Sequence, residues 1–166
     1  MRPLIKPPGS TDAYKITDGD IPCTPETEPS FHYAWNFCAN VPSAALPEEC
    51  KAVGMNAAVL QYANYGDGNK ACHIVGHYDP NSHELTYNVL DVKDPSKGVS
   101  VTYPTGENCD TTPRSATIDV LCANTPSVIV SAQEPEKCQY HMVMKSYHGC
   151  PTVSTGRYSV VLIAIR

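Results

Sequence analysis

Eight cysteines constrain the fold of this chain more than any other feature of its sequence. Their number is even, and no two stand in the C-x-x-C spacing that zinc knuckles and thioredoxin-like redox centres use. Paired disulfides are therefore favoured over free buried thiols, and they indicate an oxidising compartment such as the secretory lumen. Four of the eight cysteines fall between Cys109 and Cys150, so this stretch is expected to be the most tightly crosslinked.

Length and composition favour one all-β domain. A chain of 166 residues buries a single core, and fifteen prolines, ten glycines and ten tyrosines are typical of short strands joined by turns. The formal net charge is -5, and no Lys/Arg cluster supplies the electrostatic footprint of a nucleic-acid-binding protein. Nucleic acid is therefore excluded as an expected partner.

The chain is divided into three parts. Residues 1–12 resemble a leader, either native or added by cloning, because their apolar run is short and broken by proline. Residues 13–152 form the predicted domain, and residues 153–166 form a tail. The tail ends in YSVVLIAIR, which is either a last strand or the stump of a membrane segment that lies outside this chain.

Alternating segments separated by turn signals predict about nine strands. FHYAWNFC places aromatic residues on one face, and residues 57–79 predict a hairpin around the turn GDGN. Residues 42–52 are predicted to be a short helix or a loop. Further strands are predicted in HELTYNVL, GVSVTYP, RSATIDVLC, SVIVSAQ and CQYHMVMKS. This spacing predicts a barrel or a sandwich.

The sequence contains no recognisable catalytic constellation. It has no G-x-S-x-G, H-E-x-x-H or phosphate-binding glycine loop. His73 and His77 lie four residues apart, but on a strand this spacing separates them by about 13 Å, too far to share a metal ion. The chain is therefore predicted not to be an enzyme.

Four side chains have the chemistry for recognising a sugar without reacting on it. Arginine, glutamate and glutamine offer paired hydrogen bonds to adjacent hydroxyls, and an aromatic ring closes such a pocket. Each residue alone also fits an ordinary surface or core position. The candidates are Gln61, Arg114, Glu134 and Tyr140.

The C-terminal half resembles the mannose 6-phosphate receptor homology (MRH) domain, a lectin. The resemblance rests on a cysteine, then Arg-Ser-x-Thr-Ile-x-x-x-Cys, then Glu-Pro-x-x-Cys-x-Tyr and a closing Gly-Cys-Pro. In this chain these motifs are Cys109, Arg114 to Cys122, Glu134 to Tyr140 and Gly149 to Pro151. Upstream, AAVLQ and FHYAWNFC resemble the family strands that carry its glutamine and its first paired cysteine.

The resemblance implies a flattened β-barrel or sandwich of two antiparallel sheets packed face to face. It also implies that Arg114 and Gln61 address the mannose 2-hydroxyl, while Glu134 and Tyr140 address the 3- and 4-hydroxyls. The implied disulfides are Cys23–Cys38, Cys109–Cys138 and Cys122–Cys150. Cys50 and Cys72 remain and are expected to pair with each other.

One loop departs from the family pattern. The cation-dependent receptors carry Asp-Asn-His before the cysteine that corresponds to Cys109, whereas this chain has Gly106, Glu107 and Asn108. Glu107 and Asn108 are candidates for a phosphate or metal loop. The expectation is that no cofactor is required, with a divalent cation as the alternative.

The predicted function is a lectin domain that binds mannose or mannose 6-phosphate type glycans and sorts glycoproteins in the Golgi, endosome or lysosome. The predicted partners are mannose-containing N-glycans, and the oligomeric state is left open. The alternative comes from PEEC at residues 47–50, which resembles the lumenal domain of a single-pass autophagy and Golgi trafficking protein. Such a module would use the fold without binding sugar. His73 and His77 are candidates for acid-triggered ligand release.

Overall fold

A computed structural model describes residues 4–18, 30–82, 84–154 and 157–159. These residues form one short α-helix, α1 (Glu48–Ala52), and short 3₁₀ turns at Ser43–Ala45, Pro95–Lys97 and Tyr147–Gly149. The strands are β1 (Tyr14–Thr17), β2 (His32–Trp35), β3 (Val59–Asn64), β4 (Lys70–Gly76), β5 (Thr86–Val89), β6 (Gly98–Tyr103), β7 (Asn108–Cys109), β8 (Thr112–Pro113), β9 (Ser115–Cys122), β10 (Val128–Glu136), β11 (Gln139–Ser146), β12 (Thr152–Ser154) and β13 (Arg157–Ser159).

Two sheets make up the body of the domain. The first is an antiparallel meander in the order β1-β2-β3-β4, and the second has the order β10-β11-β9-β6-β5. Together they contain nine strands, which confirms the predicted all-β class. The ribbons β7-β8 and β12-β13 are two-stranded additions.

The second sheet differs from the expected antiparallel pairing at one place. Strands β9 and β11 are adjacent and run parallel, from Ser115 beside Gln139 to Cys122 beside Ser146. After β9 the chain passes to the outer position, forms β10 and returns as β11 between the two. Parallel neighbours need such a crossover, and here β10 and its loop supply it. Strand periodicity in a sequence does not reveal this order.

The core lies between the facing sheets, as in a flattened sandwich. Strand β9 contributes Ala116, Ile118 and Val120 from alternate positions, all of them fully buried. Because successive side chains of a strand point to opposite faces, this is the expected pattern for a half-buried strand. The first sheet contributes Tyr33, Trp35 and other residues to the same cluster.

A smaller apolar cluster covers the outer face of the first sheet. Helix α1 and the turn before it pack there against Leu60 and Ala34. Cys50 of the helix forms a disulfide with Cys72 of β4 and fixes the helix on the sheet. Residues 42–52 thus contain both helix and loop, the two alternatives that the sequence left open.

The segment between β6 and β7 links the two sheets without forming a strand. Thr105 O accepts a hydrogen bond from His77 N at 3.2 Å, and Ile74 O accepts one from Glu107 N at 2.8 Å. These bonds attach the segment to β4. They satisfy part of an otherwise open sheet edge, so the sandwich is bridged at this side although its sheets are not closed into a barrel.

Both chain ends lie partly outside the described residues. Of the proposed leader 1–12, residues 4–12 are described, and Asn36 holds this segment by hydrogen bonds to both N and O of Lys6. In the tail, β13 ends at Ser159, and residues 160–166 lie outside the description. Within the described ranges, no helix has the length and apolar character needed to cross a membrane.

Candidate functional site

Gln61 lies at the centre of a polar cluster between the two sheets. It occupies β3 opposite Tyr33 of β2 on one side and His73 of β4 on the other. Directly paired residues on neighbouring strands share a face, so these three side chains point toward the second sheet. Only 2% of Gln61 is exposed, and a buried amide needs hydrogen-bond partners.

Tyr140 of β11 and Arg114, which directly precedes β9, supply those partners. Gln61 Oε1 accepts hydrogen bonds from Arg114 Nη1 at 3.0 Å and from the Tyr140 hydroxyl at 3.1 Å. Arg114 Nη1 also donates to the Tyr140 oxygen. Three of the four predicted sugar-binding residues therefore contact one another, although Gln61 and Tyr140 are 79 positions apart in the sequence.

Tyr33 extends the cluster on the side of the first sheet. Gln61 Nε2 donates to the Tyr33 hydroxyl at 3.3 Å, and that hydroxyl donates to Asp18 Oδ2 at 3.2 Å. In the series from Arg114 through Gln61 and Tyr33 to Asp18, each donor lies on the Arg114 side of its acceptor. The hydrogen bonds therefore polarise one another in the same direction. This arrangement also sets which end of the Gln61 amide faces Arg114.

The two site tyrosines remain protonated at neutral pH. Burial, followed by the negative charge of Asp18, raises the pKa of Tyr33. Burial, followed by the charge of Glu134, raises the pKa of Tyr140, while Arg114 acts in the opposite direction. Both hydroxyls are therefore available as hydrogen-bond donors.

Glu134 lies beside the cluster, but its carboxylate accepts a hydrogen bond from the backbone outside the cluster. The pairing of β10 with β11 is irregular between Gln133 and Glu136, and Pro135 has no N–H to contribute there. Glu134 Oε1 accepts a hydrogen bond from Cys138 N at 2.5 Å, in the turn that follows. This bond fixes the carboxylate at the rim, where its charge reaches Tyr140.

The loop residues Glu107 and Asn108 have different environments. The Glu107 carboxylate contacts His73 Nδ1 and lies 3.6 Å from Arg114 Nε, so it belongs to the polar cluster. Asn108 is exposed in β7. Gly106 makes the approach possible, because a Cβ there would lie 2.5 Å from Val75 O and 2.6 Å from Ile74 O.

One of the described disulfides, Cys109–Cys138, lies beside the site. Cys109–Cys138 joins the β7-β8 ribbon to the β10-β11 turn, and Cys122–Cys150 joins the end of β9 to the segment after β11. With Cys50–Cys72, three of the four expected pairs are present. The fourth, Cys23–Cys38, involves Cys23, which lies outside the described residues. Cys38 is buried, and no other described cysteine is bonded to it.

The described residues offer no metal centre. No group of three or more histidine, cysteine, aspartate or glutamate side chains among them is placed to hold a metal ion. His73 lies within β4, whereas His77 follows the strand and uses its backbone N–H on Thr105. The two histidines therefore take part in separate contacts.

Sequence reasoning missed Tyr33 as a site residue, and it considered His73 for acid-triggered release without placing it beside Gln61. The alternation of the aromatic strand explains Tyr33 fully as a core residue, and no local signal distinguishes it from Trp35. Its hydrogen bond to Gln61 depends on the register of β2 against β3. A pairing of AAVLQ with HYAW at this register is the signal that could have revealed it.

The fold and the cluster together define a class of protein. The disulfide-linked β-sandwich is that of an MRH domain, and Gln61, Arg114 and Tyr140, the residues that the sequence resemblance named, contact one another within it. The sequence profile of the glucosidase II beta subunit-like proteins matches residues 74–162, more than half of the chain. The chain belongs to this glucosidase II beta subunit-like protein family.

Two solved structures are similar to this chain. The crystal structure of the MRH domain of glucosidase II beta bound to mannose is 24% identical; the match covers 55% of this chain and 83% of that chain, with a TM-score of 0.32. The solution structure of the MRH domain of Yos9 complexed with alpha3,alpha6-Man5 is 18% identical; the match covers 72% and 71%, with a TM-score of 0.44. No curated protein sequence matches the chain.

Proposed function

We propose that this domain is a non-catalytic lectin that binds mannose-type glycans at Gln61, Arg114, Glu134 and Tyr140. The observation that carries the proposal is the buried contact of Arg114 with both Gln61 and Tyr140 at the end of the sandwich. A guanidinium, an amide, a carboxylate and a phenol side by side match the alternating donors and acceptors of adjacent sugar hydroxyls. Membership of the MRH class supports the same assignment.

In this proposal each side chain keeps the role implied by the resemblance. Arg114 and Gln61 address the 2-hydroxyl, and Glu134 and Tyr140 address the 3- and 4-hydroxyls. Gln61, Arg114 and Tyr140 hydrogen-bond to one another, so a sugar exchanges these bonds for bonds to itself. Binding then depends on geometry prepared before the ligand arrives, which lowers the entropic cost of ordering the side chains.

The charges around the site favour a neutral sugar over a phosphorylated one. Arg114 is accompanied by two carboxylates, Glu107 and Glu134, and Glu107 already contacts His73. A phosphate would meet these negative charges, and Lys137, the lysine whose charge interacts with Glu134, is already paired with Asp110. We therefore propose plain mannose as the preferred ligand, without a metal requirement.

A mannose glycan array tests this proposal. Arg114→Ala and Glu134→Gln are expected to lower the affinity for mannosyl glycans at least about tenfold, because each leaves hydroxyl partners unpaired. The matched controls are Lys97→Ala and Glu48→Gln, which change exposed charges outside the cluster; Glu48 lies in α1 on the outer face of the first sheet. Chelation of divalent cations is expected to leave binding unchanged.

Three results of these measurements would contradict the proposal. Absence of signal at neutral and mildly acidic pH would favour the alternative, a lumenal trafficking module that uses the fold without sugar. Tighter binding of mannose 6-phosphate glycans, with loss on chelation, would reverse the ligand and metal assignments. Retained binding in Arg114→Ala would exclude this cluster as the site.

The cellular role follows from the crosslinks and the ligand class. Three disulfides are maintained in an oxidising environment, so we propose a place in the lumen of the secretory pathway. A lectin there would recognise mannose-containing N-glycans on glycoproteins and take part in their sorting toward the Golgi, endosome or lysosome. Co-purification of mannosylated glycoproteins that is reversed by free mannose is the expected observation.

A further inference from the structure

The carboxylate of Glu107 stands behind the site arginine, on the side away from Gln61. Arg114 uses Nη1 toward Gln61 and Tyr140, whereas its Nε is buried and has no hydrogen-bond partner among the described residues. Glu107 Oε1 lies 3.6 Å from that Nε. The guanidinium is therefore held between the proposed sugar-binding groups and one negative charge.

The position of Glu107 is itself defined by contacts to β4 and to Arg114. Its backbone N donates to Ile74 O at 2.8 Å, and its backbone O accepts from Arg114 N at 2.9 Å. Gly106 N donates to Arg114 O at 2.7 Å, and only a residue without Cβ fits there against β4. Main-chain bonds thus place the carboxylate over His73, whose Nδ1 contacts Glu107 Oε1.

We propose that Glu107 and His73 act as positioning residues for Arg114, with His73 holding the Glu107 carboxylate and Glu107 holding the guanidinium. This inference rests on the proposed glycan-binding function. It replaces the expectation that Glu107 binds phosphate or a metal ion. The carboxylate is directed at the guanidinium and the imidazole, so it orients the arginine and does not touch the sugar.

The physical reason lies in the freedom of an arginine side chain. Arginine loses up to about 2 kcal/mol of rotamer entropy when it is fixed, and a planar guanidinium recognises hydroxyls only at a defined orientation. A carboxylate on the Nε side restricts that orientation before the ligand binds. A neutral amide in place of Glu107 keeps the shape but removes the attraction.

Variants of Glu107 and His73 measure the contribution of these residues to mannose binding. Glu107→Gln is expected to weaken mannose binding about tenfold, and His73→Ala about threefold, since His73 acts one contact further away. His73→Asn places an amide N–H near the position of Nδ1 and is expected to stay within about twofold of the original protein. Glu48→Gln, the same charge change at an exposed position of α1, is the control and is expected to have no effect. Thermal unfolding of each variant identifies any that fail to fold.

A double-mutant cycle separates positioning from general stabilisation. Because His73 acts through Glu107, His73→Ala is expected to have no further effect on binding in the Glu107→Gln background. Equal losses in both backgrounds would overturn the proposal. Binding by Glu107→Gln as tight as that of Glu48→Gln would also overturn it.

The same cycle has a readout that needs no glycan. The side-chain Nε–H resonance of Arg114, identified by its absence in Arg114→Lys, reports the surroundings of the guanidinium. His73→Ala is expected to shift this resonance in the original protein but not in Glu107→Gln, and an unchanged resonance would overturn the proposal. A protein that shows the expected shifts but binds no mannosyl probe would refute the glycan-binding function alone.

Discussion

The Gln61 side chain links the two sheets by hydrogen bonds. Its amide accepts from Tyr140 of the second sheet and from Arg114 just before β9, and it donates to Tyr33 of the first sheet. A buried amide with partners on both of its polar atoms is held in one orientation, since reversing it would oppose donor to donor. The side chains of the site thereby hold one another in place.

Removal of the Tyr140 hydroxyl tests this ordering. Tyr140→Phe takes one hydrogen bond from Gln61 and one from Arg114 without changing the ring in the core, so mannose affinity is expected to fall about tenfold. Isothermal titration with a mannosyl oligosaccharide measures the change. Tyr65→Phe, at an exposed position, is the control. Unchanged affinity in Tyr140→Phe would show that the hydroxyl has no role in binding.

At the scale of elements, two hairpin turns carry the rim of the site. Asp110 and Cys138 both have positive φ, 56° and 65°, one in the turn of the β7-β8 ribbon and the other between β10 and β11. The disulfide Cys109–Cys138 joins these turns, and an exposed ion pair between Lys137 and Asp110 runs beside it. The loop that contains Glu107 and the turn that fixes Glu134 are therefore positioned as one unit.

A comparison of two disulfides tests this coupling. The variant Cys109→Ala/Cys138→Ala is expected to lose both stability and mannose affinity, because Glu134 and Glu107 lose their common anchor. The comparison variant is Cys50→Ala/Cys72→Ala. The disulfide that it removes closes a loop of similar length, with a sequence separation of 22 against 29, but fixes α1 on the opposite face.

Each loss is expected to cost about 3 kcal/mol of unfolding free energy. Denaturant titration measures stability, and glycan titration under conditions where each variant is folded measures affinity. Equal affinity in the two double variants would show that Cys109–Cys138 stabilises the fold without organising the site.

The stability of the whole molecule depends on tyrosines that are buried in its core. Burial is the largest cause of a raised pKa for Tyr14, Tyr33, Tyr103 and Tyr140. The Tyr103 hydroxyl, for example, accepts from Cys38 N and donates to Asn36 O, both at 3.2 Å. These rings favour the neutral phenol, so the folded state resists ionisation.

Alkaline titration is therefore expected to unfold the protein cooperatively. Below the ordinary tyrosine pKa of 10.0 these tyrosines are protonated in both the folded and the unfolded state, and their contribution to stability is fully present. Above it the unfolded chain ionises first, so the unfolding free energy falls as pH rises. Tyrosinate absorbance should increase together with the loss of the buried Trp35 emission. Ionisation of these tyrosines while that emission stays native would contradict this expectation.

Local patterns in the sequence determined much of the fold. Alternation of apolar side chains, as in β9, identifies a half-buried strand because the period of two is a property of the strand itself. The hairpin of β3 and β4 follows likewise from its Gly-Asp-Gly-Asn turn. The resemblance named Gln61, Arg114 and Tyr140, which the structure brings into mutual contact.

Only the tertiary structure decided which strands became neighbours and which side chains met. The parallel pairing of β9 with β11 and the register that places Tyr33 and His73 beside Gln61 depend on packing between distant segments. The contact of Glu107 with Arg114 depends on a loop held against β4 by main-chain hydrogen bonds. Such contacts are set by strand order and register, which the local periodicity of a sequence does not contain.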